Sequence, residues 1–289
     1  MPLDVDSAER FVLSNARLLD RHRLAVLLHD APVAHVLASL RAYRNPDGGF
    51  GHALEPDVRG PESEPAATLH ALEVLAAVEA LDDPMVADAS AWVASIADPH
   101  GGVPFVMPVA ASYPRAPWMV PSDGGSFLTC ALAAVLQEAG SRDPWLARAS
   151  EWCWAKLEHP EELSAYWVKF SLGFLDNVPD QARAGAAIES LRSQIGADGM
   201  IAVPGGTEDE RLTPLTLSPR PGARSRALFT EAQIEADLDA LEQRQQDDGG
   251  WTFDWLAWSP GQAVEWRGAV TLQALATLAA HGRVIRSGP

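Results

Sequence analysis

Four carboxylic acids and a histidine fall within one stretch of thirteen positions: His52, Glu55, Asp57, Glu62 and Glu64. A carboxyl that delivers a proton needs a raised pKa, and one that accepts a proton must be ionised. Several acids in differing surroundings are therefore the raw material of general acid–base chemistry. The same residues also suit helix capping and a solvated surface, and a helix N-terminus favours the ionised carboxylate, against a protonating role. The sequence leaves both readings open.

Aromatic side chains crowd similar stretches: Phe50, Phe105, Tyr113, Trp118, Trp251, Phe253, Trp255, Trp258 and Trp266. Ring faces stabilise cations and also stack on sugars. Phe50, Trp118, Trp255 and Trp258 are candidate walls of a binding site. Trp92, Trp152 and Trp154 lie in helical patterns and read as core. Arg115, Arg224 and their neighbours Arg220 and Arg226 are candidate anion contacts, with Asp123 and Glu265 as further polar groups.

Other signals fail. Asp82-Asp83 followed by Asp88 has the wrong spacing for an acidic magnesium motif, and Asp83 already reads as a helix cap. Asp237-Leu238-Asp239 is expected on the watery face of an amphipathic helix. Cys130 and Cys153 make neither a disulfide framework nor a metal pattern with eight scattered histidines. There is no Walker loop, dinucleotide fingerprint or nucleophile elbow.

The elements that position these residues repeat. Asp47-Gly48-Gly49-Phe50 recurs as Asp248-Gly249-Gly250-Trp251, with weaker copies at His100-Gly101-Gly102-Val103 and Asp198-Gly199-Met200. The spacing is roughly 50 residues with one degenerate turn, expected near Glu158-His159-Pro160, and such a period marks a repeat architecture. Thr68–Ala77 matches Thr271–Ala280, and both are apolar nearly all round, as a helix buried on every side must be. Asp83-Pro84 and Asp143-Pro144 open a second helix type with an N-cap and proline at the first helical position. Its apolar stripe covers one face, as does that of 231–246. Each period is then one outer helix, one inner helix and a turn. With opening helices near 7–20 and 32–43, this predicts an all-α domain over 1–289. It would be an α/α toroid of about eleven or twelve alternating helices. The turns entering inner helices would converge on one mouth, formed by the 50–64, 103–123, 203–226 and 251–266 connections.

Gln246-Asp247-Asp248-Gly249-Gly250-Trp251 resembles the QW repeat of terpenoid cyclases and the related turns of protein prenyltransferase β-subunits. Arg44 and Phe50 depart from that pattern at the first turn. The resemblance implies an isoprenoid held in a central aromatic-lined cavity with carboxylates at its mouth. It places Glu62-Ser63-Glu64 near where class II terpene cyclases carry an Asp-x-Asp-Asp acid, though that motif is absent. A diphosphate substrate would bring Mg²⁺ with it. The alternatives are a carbohydrate-active α/α toroid, with aromatic platforms and two carboxylates, and a non-catalytic scaffold.

Composition sets the boundaries. A net charge of -17 argues against nucleic acid and anionic membrane as partners, which need an electropositive face. The expected partner is a small hydrophobic molecule; the oligomeric state stays open. No apolar run reaches transmembrane length, and acid stands where a secretory leader needs base, so a cytoplasmic protein is expected.

Overall fold

The four glycine-marked turns are one structure built four times. The computed structural model describes residues 3–284. In the first turn the Gly48 amide donates to the Asn45 carbonyl, and the Asn45 amide to Gly49. The same two bonds join Gly101 with Asp98 and Asp98 with Gly102. They recur as Gly199 with Gly196 and Gly196 with Met200, and as Gly249 with Gln246 and Gln246 with Gly250. Each turn passes through a glycine in the left-handed region, at φ 95° (Gly48), 100° (Gly101), 84° (Gly199) and 91° (Gly249). A Cβ is costly there. Asp47, Asp98, Asp198 and Asp248 each accept from an amide further along their own turn.

Among the described residues the chain forms twelve α-helices and one two-stranded ribbon. These are α1 (Val5–Asn15), α2 (Leu18–His29), α3 (Ala34–Leu40), α4 (Pro65–Ala77), α5 (Pro84–Ile96) and α6 (Leu128–Glu138). They continue with α7 (Pro144–Lys156), α8 (Ala165–Asn177), α9 (Gln181–Ser190), α10 (Pro214–Leu217), α11 (Glu231–Gln243) and α12 (Pro260–Ala280). The ribbon pairs β1 (Ile201–Ala202) antiparallel with β2 (Arg211–Leu212). The chain divides into two compact units, residues 40–194 and residues 1–39 with 195–289.

In the 40–194 unit, α6 packs on α4, α7 and α8. Every residue of α6 from Leu128 to Leu136 is buried, and eight of thirteen in α4 are, so both are inner helices. Leu72 and Leu75 of α4 are fully enclosed, each stabilising the fold by about 1.5–3 kcal/mol. α5 and α7 bury one face. Asp83 and Asp143 cap them by accepting from Met85 and Trp145, each with proline at the first turn. In the other unit α12 packs against α1, α2 and α11.

The turns lock onto these layers in two ways. The amide after the glycine pair reaches a threonine on the next inner helix. Phe50 donates to Thr68 at 3.1 Å, Val103 to Thr129 at 2.8 Å and Trp251 to Thr271 at 2.8 Å. The glycines also press against an outer helix. A Cβ on Gly48 would lie 2.7 Å from the Asp88 carbonyl of α5, and one on Gly101 2.6 Å from the Ala149 amide of α7. One on Gly249 would collide with the Ser7 carbonyl of α1.

Two expectations need correction. The opening segment holds three helices, not two. The chain leaves the first at Ala16 in an extended conformation, where Ala16 meets Gly268 of α12 so closely that a Cβ there would be 2.8 Å away. The second, α2, was not foreseen. Asp237 does not face water: it is 7% exposed and accepts from the Leu215 amide at 2.8 Å, satisfying the start of α10. Burial holds its carboxyl above the usual range. The degenerate turn falls where expected, between α7 and α8, where a short 3-10 turn at Pro160–Glu162 stands in place of the glycine pair. The turn at 196–200 is present, and the inner helix after it shrinks to the single turn of α10.

Candidate functional site

The 50–64 and 103–123 connections meet within the 40–194 unit. Val58 and Arg115 form an isolated antiparallel bridge. Arg59 donates to the Pro114 carbonyl and Ala116 to that of Asp57. Between these strands of coil the acids separate by environment.

Glu64 is the N-terminal boundary residue of α4 and is 3% exposed. Its amide donates to the Phe50 carbonyl at 2.8 Å, which ties the acid to the first turn. Its side chain does not cap its own helix. Instead Oε2 accepts from the Met107 amide at 2.9 Å. Burial pushes the carboxyl up to about 7; the Met107 hydrogen bond opposes the shift and the neighbouring Glu62 carboxylate adds to it. The helix-terminus objection is thus outweighed by desolvation.

Glu62 accepts from the Tyr113 hydroxyl at 2.6 Å, and this bond holds the phenol above its ordinary pKa. Its Oε2 is buried without a hydrogen-bond partner. Tyr113 and Arg115 border a hollow of about 350 Å³. Asp57 is 5% exposed. Glu55 sits 3.8 Å from the His70 ring of α4, both side chains 12% exposed. His52 stands apart. It is exposed, in the left-handed region at φ 55°, with its ring nitrogen 3.0 Å from Asn45 Oδ1. That places it in the turn rather than with the buried acids.

The expected binding residues fare unevenly. Phe50 is fully buried, so it is core rather than wall. The Arg115 guanidinium is occupied by the carbonyls of Met119, Ala110, Ala111 and Tyr113, and so braces its loop rather than awaiting an anion. Trp118 is half-buried and Asp123 exposed. In the other unit the 203–226 and 251–266 connections also touch, through the Thr207 hydroxyl and the Asp254 carbonyl. There Trp255 stacks on Phe253 at 4.7 Å and meets Trp266 edge-on at 5.1 Å. Trp258 and Arg224 are half-buried.

Sequence reasoning missed the inner face of α8. Ala66, His70, Glu73 and Ala77 form a partly exposed stripe on α4, and Tyr166, Lys169, Phe170 and Gly173 one on α8, with α6 packed against both helices. Phe170 lies parallel to Phe127 at 5.2 Å, and Phe105 packs on Phe127 at 4.9 Å. The Lys169 ammonium is 5.1 Å from the Phe170 ring centroid and 5.9 Å from that of Tyr166. Burial holds its pKa below the lysine norm, with the Glu73 carboxylate pulling upward. One signal was available: only Lys156 and Lys169 are lysines, and only the second follows a Tyr-Trp pair. Among the described residues no three His, Cys, Asp or Glu side chains converge as metal ligands would. No helix there is long and apolar enough to cross a membrane.

No family model and no curated protein matches the chain. Solved structures do. A protein from Actinoplanes aligns over 96% of this chain and 100% of its own, at 18% identity and a TM-score of 0.59. The type II terpene cyclase MstE from Scytonema aligns over 97% of this chain and 98% of its own, at 16% identity and a TM-score of 0.55. A variant of MstE in complex with its substrate, geranylgeranyl dihydroxybenzoate, aligns with a TM-score of 0.56, at 16% identity and 97% coverage of both chains. The chain therefore has an all-α, terpenoid cyclase-like fold.

Proposed function

We propose that this protein is a type II terpenoid cyclase-like enzyme that closes rings in an isoprenoid by protonating an alkene, with Glu64 as the acid. The observation that carries the reading is Glu64 itself: a carboxyl at the start of an inner helix, enclosed, and raised to about 7 by burial and by Glu62. A group with that pKa is substantially protonated at neutral pH, and a general acid works best when its pKa lies near the working pH. Transfer of its proton to one alkene carbon leaves a carbocation on the other. A neighbouring double bond attacks that cation, closing a ring, and the sequence ends when a carbon beside the last cation gives up a proton. The Glu55–His70 pair takes that proton. The face carrying Phe127, Tyr166 and Phe170 supplies ring electrons to cations along the way. Glu62, bonded to Tyr113, keeps Glu64 from ionising by like charge. The ligand class follows from MstE, which shares the fold and binds a geranylgeranyl compound.

The test is turnover of geranylgeranylated substrates followed by chromatography and mass spectrometry. Cyclisation changes retention but not mass. The wild-type protein is expected to form such isomers and Glu64→Gln to lose at least about 100-fold in rate. Conversion by the Gln variant at the wild-type rate would remove Glu64 from the mechanism. Wild-type protein that converts no isoprenoid would end the cyclase reading.

A further inference from the structure

Lys169 has no part in the proton chemistry, yet its setting is unusual for a lysine. Lys156, the other one, is exposed at the end of α7. Lys169 projects from an inner helix on its partly exposed face, over the rings of Tyr166 and Phe170. Ring faces attract an ammonium but accept its N–H groups poorly, so its three donors are better satisfied by an anion. Among the described residues no side chain hydrogen-bonds or ion-pairs with it. Glu73 of α4 acts on it through the field of its carboxylate. Glu73 is nine residues beyond Glu64, about 13 Å further along the helix axis at 1.5 Å per residue. Acid and ammonium thus lie at different depths along α4, with His70 between. The parallel rings of Phe127 and Phe170 add a flat wall beside the ammonium.

We infer that the ligand of this site is an isoprenoid carrying a carboxylate on a flat headgroup. Its carboxylate sits on Lys169 while its reacting alkene lies toward Glu64. The inference rests on the cyclase reading for the identity of the chain, but the binding of the head can be measured without turnover. The probes are a geranylgeranylated benzoic acid and its methyl ester, titrated against the full protein by quenching of tryptophan fluorescence. A charge-assisted contact in a partly desolvated site should make the acid bind at least about tenfold tighter than the ester. Lys169→Gln should abolish that preference and Lys169→Arg retain most of it, each with an unchanged melting temperature. Equal binding of acid and ester by the wild type, binding of neither, or a preference that survives in the Gln variant would each overturn the inference. The two readings separate cleanly. Cyclisation without an acid preference sinks only the Lys169 assignment. A Lys169-dependent preference without cyclisation sinks only the enzyme reading.

Discussion

The connection after the first turn and the connection after the fourth begin alike and end differently. In both, the residue after the glycine pair is buried and its amide sits on an inner-helix threonine. Around the fourth turn Asp248 and Asp254 are each met by an arginine. Arg267 grips Asp248 through two bonds of 2.7 and 2.8 Å, and Arg244 grips Asp254 through two of 2.6 and 2.8 Å. The Asp248 carboxyl is accordingly held below its ordinary pKa by Arg267. After the first turn the influences on Glu64 are burial and a second carboxylate, and its pKa rises. One scaffold serves both places. The carboxyl that meets burial and a like charge in place of an arginine is the one whose pKa rises.

That contrast can be broken most sharply by titration. Glu64 binds its proton more tightly folded than unfolded, so its stabilising share is complete below pH 4.5 and is lost as pH rises through about 7. Asp248 is the reverse: its share is present above 3.8 and is lost as pH falls through its lowered pKa. Denaturant melts of wild type and Glu64→Gln at pH 5 and pH 8 should show wild type losing up to roughly 3 kcal/mol relative to the variant. Asp248→Asn should close its gap to wild type only in acid. Parallel curves for wild type and Glu64→Gln would mean the acid is ionised like any surface glutamate.

Next in size is the turn itself. Gly249→Ala should destabilise by about 2 kcal/mol, because the left-handed φ and the Ser7 carbonyl both oppose a Cβ. Gly140 has φ 66° but open space around it, and its alanine variant should lose only about 1 kcal/mol. Equal melting of the two variants would show that docking onto α1 contributes nothing. Smallest is the threonine latch. Thr271→Val and Thr68→Val each strand a buried amide and should lose about 1–2 kcal/mol by chemical denaturation, alike in both connections. Unequal losses would show that the two copies are not the same device.

The repeat was legible because its signals are local. A glycine that must adopt positive φ, a proline after a capping aspartate and an all-apolar helix each announce themselves within a few residues. Glu64 was legible as a candidate for the same reason, but not its state. Its raised pKa comes from burial, which prevails over the hydrogen bond from Met107, 43 positions away. Arg115 misled because a sequence shows a charge and not the four carbonyls around it. Asp237 misled because helical periodicity assigned it to water when an amide 22 residues earlier had a claim on it. Lys169 was passed over because the tally of aromatics followed the connections, whereas α8 carries its rings on a helix.

The docking of the fourth turn onto α1 bears on the order in which the chain can fold as it is made. α1 stands to that turn as α5 does to the first and α7 to the second. Asp4 and Gln245 clasp each other across 241 positions. Phe11, Val12, Leu24 and Leu28 share one core with Trp251, Leu272 and Leu275. Residues 40–194 form a continuous stretch that can pack as it leaves the ribosome. The first two helices emerge before it and must then wait. At about 5–20 residues per second their partners arrive roughly ten seconds to a minute later. During that interval Phe11, Val12, Leu24 and Leu28 are tethered, without the rest of their core, to a unit already taking shape. Chaperone capture of the nascent chain should accordingly concentrate on residues 5–29 and should end once α12 is out.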